Sequence, residues 1–230
     1  MKIGLIPLDE RPANTRYPRM IAAIGAHELH LPPADILSHF REPAVCDEMA
    51  VWLNVQAAEC DALVVSCEML GFGGLIASRI SDEPAEAIIT RLDALRHIRK
   101  AHPDLTIYGF NVITRVSRHD DATEEPLYWA DYGALLFRLS QLMHRSEMGQ
   151  GVAAELREVR AALPPDFIAD FMHRRHRNHL VNRATLQLLA DGVFDTLVLS
   201  SDDTSPYGQP AREKRLLARR AEILELGDRL

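Results

Sequence analysis

The sequence predicts an α/β fold in which about five parallel strands form a sheet with flanking helices. Short apolar runs recur along the chain, and longer amphipathic segments separate them. Continuous apolar runs are typical of strands that are buried on both faces of a parallel sheet. Strand–helix–strand repetition favours right-handed crossovers between such strands. The pattern fits a partial β/α barrel and an open Rossmann-like sheet, and both remain open at this point.

The predicted strands follow one another at irregular intervals. They cover residues 3–8, 28–31, 62–66, 106–111 and 196–200. The second is the weakest, because it is short and two prolines stop it. Amphipathic helices are predicted over 47–60 and 83–102, the latter starting at a proline as helices often do. A charged helix is predicted in the tail, 212–230.

One connection is too long for an ordinary crossover. More than eighty residues separate the fourth and fifth strands, and they contain helical patterns over 127–143, 152–163 and 166–191. A crossover needs a single helix, so residues 122–191 are predicted to form a helical insertion or lid within one α/β domain spanning 1–230. No strand follows the tail helix, so the sheet looks interrupted and its open edges favour self-association.

Composition excludes several classes of protein. The chain has 33 acidic and 26 basic residues, a net charge of −7, which does not favour nucleic acid or an anionic membrane surface as a partner. No apolar run approaches the roughly 20 residues of a membrane helix. The three cysteines, Cys46, Cys60 and Cys67, lack metal-type spacing and indicate a reducing, cytoplasmic compartment. We therefore expect a small-molecule ligand.

Polar residues concentrate where the predicted strands end. In parallel α/β proteins, ligands bind beyond the carboxyl ends of the strands. Asp202 and Asp203 follow the fifth strand and are the sharpest feature. Two unscreened adjacent carboxylates raise one another's pKa, so the pair is predicted to act in acid/base catalysis. Metal ligation and a structural Asx-turn are the alternatives.

Other loops at the same edge supply candidate substrate-binding residues. Arginines from several loops would form a fork for a carboxylate or phosphate if they converge. Asn178 and Asn182 share a helix face, while the basic run 173–179 around them is predicted to be a solvated face. The predicted binding set is Asp9, Arg11, Asn14, Arg79, Arg115, Asn178, Asn182 and Tyr207.

The sequence does not match the motifs of dinucleotide-binding proteins or of serine hydrolases. The glycine loop 71–74 lacks the third glycine of a dinucleotide fingerprint, so it is predicted to allow close backbone packing or to aim amides at an anion. The serines after the fifth strand lack a nucleophile elbow. Trp129 is predicted to be core rather than a sugar-stacking surface.

Five motifs in order resemble the bacterial family called domain of unknown function 4127. They are I-P-L-D-E-R-P-A-N, G-F-G-G-L-I-A-S-R, R-V-S-R with E-E-P-L-Y-W-A-D-Y-G, R-N-H-L-V-N, and S-S-D-D-T-S-P-Y-G. The resemblance covers essentially the whole chain. Its pattern falls on Asp9, Arg11, Pro12, Asn14, Gly73, Gly74, Ser78, Arg79, Arg115, Ser117, Glu125, Tyr128, Trp129, Tyr132, Asn178, Asn182, Asp202, Asp203, Tyr207 and Gly208. Members usually continue further, which implies that this chain is an N-terminal portion. The resemblance does not establish an activity or a cofactor.

The aspartate pair resembles, in its chemistry, that of barrel glycosidases acting on N-acetylhexosaminides. In those enzymes one acid orients the substrate's acetamido group and the other protonates the leaving oxygen. The resulting hypothesis is a hydrolase acting on a sugar derivative, with Asp203 as general acid and Asp202 as orienting group. The alternatives are metal-assisted phosphoryl or ester hydrolysis, with Mg²⁺ or Mn²⁺ on Asp9, Asp202 and Asp203, and a non-catalytic ligand-binding fragment.

Overall fold

Five parallel strands form an open sheet in the computed structural model, which describes all 230 residues. The strands are β1 (Lys2–Ile6), β2 (Glu28–His30), β3 (Ala62–Ser66), β4 (Thr106–Ile113) and β5 (Thr196–Ser201), in the order β2-β1-β3-β4-β5. All five predicted strands are confirmed. Because β2 and β5 are edges that do not pair with each other, the sheet is open rather than a barrel.

Ten helices accompany the sheet. They are α1 (Arg16–Ile24), α2 (Cys46–Glu59), α3 (Cys67–Phe72), α4 (Leu75–Ile80), α5 (Ala85–Leu92), α6 (Ala94–Ala101), α7 (Trp129–Glu147), α8 (Ala153–Ala161), α9 (Pro165–Ala190) and α10 (Gln209–Ile223), followed by a 3₁₀ turn, Gly227–Arg229. None of them combines the length and the apolar composition that crossing a membrane requires.

One predicted helix is wrong, and the close backbone packing predicted at the glycine loop is observed. The single helix over 83–102 is α5 followed by α6, which meet at Asp93; its carbonyl accepts the N–H of Arg96, the tighter bond of a turn. Residues 71–74 are not a loop: they form the end of α3 and the short turn that leads into α4. Gly73 ends α3 with φ +84°, a left-handed conformation that favours glycine. A Cβ at this position would also lie 2.7 Å from Pro43 Cβ, so a residue without a side chain is required for both reasons.

The main core lies between one face of the sheet and the helices that cross it. Leu63, Ile107 and Leu197 on that face are fully buried against apolar residues of α2, α9 and α10. On the opposite face α1 lies over β1, β2 and β3, while Tyr108 and Val198 remain exposed. The sheet is therefore covered fully on one side only.

The long connection between β4 and β5 contains the three predicted helices. α7 and α8 pack around a second, smaller core that includes Trp129, Leu136 and Phe171. The 26-residue α9 joins the two cores, because Phe171 near its start belongs to the small core and Leu186 near its end to the main one. α9 is thus the crossover helix, and α7 and α8 are the additional layer. Closure of this layer over a substrate stays a prediction.

Candidate functional site

A polar cleft opens at the carboxyl edge of the sheet, beyond β4 and β5. It has a volume of about 360 Å³, within the range of small-molecule sites, which is roughly 300–1,000 Å³. The loop after β4 and the loop after β5 form its walls, because neighbouring parallel strands end at the same edge. Its polar lining residues include Arg115, Ser117, Arg118, His119, Asp202 and Asp203.

Asp202 is held at the wall of this cleft by Arg79. The Nη2 of Arg79 donates to Asp202 Oδ2 at 2.8 Å, and its Nη1 donates to Glu124 Oε2 at 2.7 Å. Only 3% of the Arg79 side chain is exposed, so these are charge-assisted bonds in a desolvated setting. The expectation of two unscreened aspartates is wrong, since Arg79 compensates the charge of Asp202.

Arg115 connects this ion cluster to the cleft. Its Nη2 donates to the same Glu124 oxygen at 3.0 Å, while the side chain lines the cleft and remains 40% exposed. Glu124 is therefore shared by a buried and an exposed arginine. Whether the arginines converge was left open by the sequence; Arg79 and Arg115 do converge, on a carboxylate of the protein.

Asp203 combines two of the alternatives foreseen for it. Its Oδ1 accepts the backbone N–H of Ser205 at 2.7 Å, and its own N–H reaches Ser201 Oγ. This is an Asx-turn, which fixes the side chain. The carboxylate nevertheless lines the polar cleft beside Asp202, so the turn positions an acid at the cleft wall.

Asp9, Arg11 and Asn14 form a group of their own after β1. Asp9 is buried and accepts the backbone N–H and Nε of Arg11 and the Nδ2 of Asn14, at 3.0, 2.9 and 2.6 Å. Burial works to raise the pKa of Asp9, but these bonds outweigh it and the pKa lies below its ordinary value. Arg11 and Asn14 are thus both engaged in holding Asp9.

The Asp9 group lies on the same side of the molecule as the ion cluster. The pKa of Arg11 is raised, chiefly by its hydrogen bond to Asp9 and also by the charge of Glu124. Arg41, from the loop between β2 and α2, donates to the carbonyls of Ala122 and Glu125 and so ties the adjoining loops together. The structure therefore gathers loops from β1, β2, β4 and β5 at one edge.

Of the eight predicted binding residues, only Arg115 lines the polar cleft. Asn178, Asn182 and Tyr207 lie outside it, as do Arg79 and the Asp9 group. Asn178 donates to the carbonyl of Ser78 at 2.8 Å, and Asn182 is buried against β4, where it donates to the carbonyl of Val112. The hydroxyl of Tyr207 accepts from Gln150 at 3.0 Å. These side chains bind protein groups, which shape the edge of the sheet rather than face the cleft.

The basic run of α9 is not a solvated face. Arg175 is buried and forms a bidentate salt bridge with Glu213 of α10. Arg177 is also buried, donates to the carbonyl of Ser78 and lacks a carboxylate partner; burial lowers its pKa to about 10. The inward packing is satisfied by hydrogen bonds: Arg177 donates to backbone carbonyls at the end of α4, and Arg175 donates to Glu213 and Thr114.

Behind Arg79 lies a second, much smaller space, which we call the arginine cavity. It has a volume of about 30 Å³ and its lining includes Arg79, Arg115, Glu125, Arg174, Arg175 and Asn178. Arg79 Nε and Glu125 Oε1 are buried without a hydrogen-bond partner. Burial raises the pKa of Glu125 to about 7, against the opposing charges of Arg79 and Arg115. Sequence reasoning did not select Glu125 for the site, although it stands in the E-E-P motif.

A second buried acid, Glu68, lies at the start of α3. It accepts the Nδ2 of Asn111 at 2.5 Å and the backbone N–H of Val112 at 2.7 Å. Complete burial raises its pKa to about 7 despite these bonds. Asn182 and Thr185 continue the network through Asn111 Oδ1. Glu68 thus joins β4 to α3 and α9 from within the core.

The structure contains no group of three or more His, Cys, Asp or Glu side chains arranged to hold a metal ion. Asp9, Asp202 and Asp203 do not form such a group, and metal-assisted hydrolysis stays a hypothesis. The three cysteines are free thiols, and burial raises the pKa of each, which disfavours thiolate ligation.

Fold and cleft together define an open, parallel α/β protein with an acid- and arginine-lined cleft at the carboxyl edge of its sheet. The chain belongs to the family described as protein of unknown function (DUF4127), whose model matches residues 3–230. No curated protein and no solved structure shows significant similarity to it.

Proposed function

We propose that this protein is a cytoplasmic hydrolase that acts on a small sugar derivative bound in the polar cleft. The observation that supports it best is the 2.8 Å bond from Arg79 to Asp202, which fixes one carboxylate beside a second, Asp203, at the cleft wall. Two acids at one wall of a polar, water-accessible cleft suit acid/base hydrolysis.

The two aspartates would have different roles. Asp202 is held by a guanidinium and would orient a polar substrate group or stabilise a developing positive charge. Asp203 is fixed by Ser205 and would give a proton to the leaving oxygen. The exposed guanidinium of Arg115 would contact a hydroxyl or an anionic group of the substrate.

Assays on 4-nitrophenyl glycosides and 4-nitrophenyl phosphate, with and without EDTA, test this proposal. We expect chelator-insensitive release of nitrophenol from a glycoside, lost by 10²-fold or more in Asp203→Asn and in Asp202→Asn. Asp104→Asn is the matched control, because Asp104 is exposed and precedes β4, at the opposite edge of the sheet.

The other outcomes distinguish the alternatives. EDTA-sensitive cleavage of the phosphate ester would replace the proposal by metal-assisted phosphoryl hydrolysis. Sugar binding that survives both aspartate substitutions, with no turnover of any substrate, would replace it by a ligand-binding role.

A further inference from the structure

Two residues that line the arginine cavity each carry a buried polar atom without a partner. Arg79 Nε is a donor, Glu125 Oε1 is an acceptor when ionised, and both are without a hydrogen bond. The Arg79 and Glu125 side chains are only 3% and 7% exposed, and both line the same cavity. Buried polar groups in native proteins are almost always satisfied by protein or by ordered water, so something of matching chemistry belongs between them.

The size of the cavity selects that partner. A water molecule needs about 10–15 Å³ of such space, and the cavity offers about 30 Å³. One or two water molecules therefore fit, whereas a sugar ring does not. Water also has the required chemistry, because its oxygen accepts from Nε and its protons reach a carboxylate oxygen.

Direct pairing does not already satisfy the two residues. The closest approach between them is 4.0 Å, from Arg79 Nη1 to Glu125 Oε1, which is beyond hydrogen-bond distance. Both Nη atoms of Arg79 are committed, one to Glu124 and one to Asp202. The Nε is thus the guanidinium nitrogen that has no hydrogen-bond partner.

We propose that a water molecule in the arginine cavity bridges Arg79 Nε and Glu125 Oε1, and that Glu125 is a positioning residue which acts through this water and Arg79 on Asp202. The inference deepens the proposed function, because it concerns the group that holds Asp202, but its test is read on the arginine itself.

The protonation state of Glu125 changes the balance of charge around Arg79. With Glu125 protonated, Arg79 and Arg115 face two carboxylates, Glu124 and Asp202. With Glu125 ionised, three carboxylates share the same two cations. Ionisation, which occurs near pH 7 because burial raises the pKa of Glu125 to about 7, therefore draws the guanidinium toward the cavity and weakens its hold on Asp202.

Several elements contribute groups that face Glu125. Positive charges come from α4, from the loop after β4 and from α9, and negative charge comes from the loop after β5; a neutral phenol, donating to Asp170, also lines the cavity. These groups are Arg79, Arg115, Arg174, Arg175, Asp202 and Tyr128. Arg174 and Arg175 are paired with Asp170, Asp82 and Glu213, so they do not replace Arg79 as partner of the water.

The test follows the Nε–Hε resonance of Arg79 by ¹⁵N NMR, assigned by its loss in Arg79→Lys. Between about pH 5.5 and 8.5 we expect the wild-type resonance to titrate with a midpoint near pH 7, and the resonance of Glu125→Gln to stay flat. Glu68→Gln is the matched control, because it removes the other buried acid with a pKa of about 7 and should leave the titration in place.

A crystal structure of the full chain supplies the second readout. We expect density for a water molecule within hydrogen-bond distance of both atoms, lost when Glu125→Met removes the acceptor. An empty cavity, a flat wild-type titration, or a titration that Glu125→Gln leaves unchanged would each overturn the proposal. Absence of turnover on aryl glycosides would count against the proposed hydrolase alone. Where glycosides are cleaved, Glu125→Gln should remove the inflection near pH 7 from kcat/KM, which a merely structural role would not do.

Discussion

Arg79 and Asp202 stand 123 positions apart in the chain and share a hydrogen bond of 2.8 Å at the carboxyl edge of the sheet. Arg79 comes from α4, after β3, and Asp202 from the loop after β5. Their pairing joins α4 to the loop after β5, and β4 lies between β3 and β5 in the sheet. The bond therefore exists only in the tertiary structure.

Removing Arg79 should destabilise the protein. In Arg79→Met, Asp202 loses its guanidinium partner and Glu124 keeps only Arg115; because both carboxylates are partly exposed, we expect a loss of about 1–3 kcal/mol in the free energy of unfolding. Chemical denaturation with Asp202→Asn and the double variant would yield a coupling free energy of about 1–3 kcal/mol. Arg16→Met is the control, because Arg16 is exposed. Additive effects of the two substitutions would show that the bond is unimportant.

The free energy of unfolding should fall as pH rises, because Glu68 and Glu125 ionise in the folded protein. Burial raises the pKa of each from 4.5 to about 7, so between these values the folded state binds more protons than the unfolded state. Stability contributed by the protonated acids is full below about pH 4.5 and is lost as pH approaches and passes 7.

Glutamine variants isolate this contribution. His179, whose pKa burial lowers to about 4, shifts stability in the opposite direction between pH 4 and 6.5, so the difference between variant and wild type is the quantity to measure. We expect Glu68→Gln and Glu125→Gln to gain on the order of 1–3 kcal/mol relative to wild type between pH 4.5 and pH 8. A difference that does not change with pH would contradict the assignment.

The substitution Gly73→Ala should lower the stability of the protein more than Gly149→Ala does. Both glycines have positive φ, +84° and +77°, but a Cβ at Gly73 would lie 2.7 Å from Pro43 Cβ and 2.8 Å from Ala44 N, whereas Gly149 faces open space. We expect about 1 kcal/mol from the strained φ at Gly149 and at least 1–3 kcal/mol more from the clash at Gly73. Equal losses in thermal denaturation would mean that the loop at Pro43 yields freely.

Self-association through the open sheet edge stays a prediction that size-exclusion chromatography with light scattering can measure. β5 is an edge strand, and its Val198 is 57% exposed. We expect the apparent mass to rise with concentration, and Val198→Lys to suppress the rise, since a charge on an edge strand opposes pairing. A wild-type protein that remains monomeric at all concentrations would rule this out.

The strands could be predicted because each is a short apolar run bounded by polar residues or prolines, so local sequence suffices. The break between α5 and α6 at Asp93 could not be predicted, because the amphipathic spacing continues through it. The helices on either side of Gly73 could not be predicted either, because glycines suggest a loop. The acidic and arginine side chains were expected to share a single cavity; Asp202, Asp203 and Arg115 line one cleft, whereas Asp9, Arg11 and Arg79 do not line it. Glu125 was missed because its raised pKa comes from burial, which the residues beside it in sequence do not reveal.

By itself, the sequence determined which segments are strands and helices and that polar loops follow the strands, since period and composition are local properties of the chain. Only the tertiary structure decided the strand order, the uncovered face beside Tyr108 and Val198, and the partners of Arg79. Those features depend on how crossovers bring distant segments together and on which charges lose their water in doing so, and both are properties of the packed molecule.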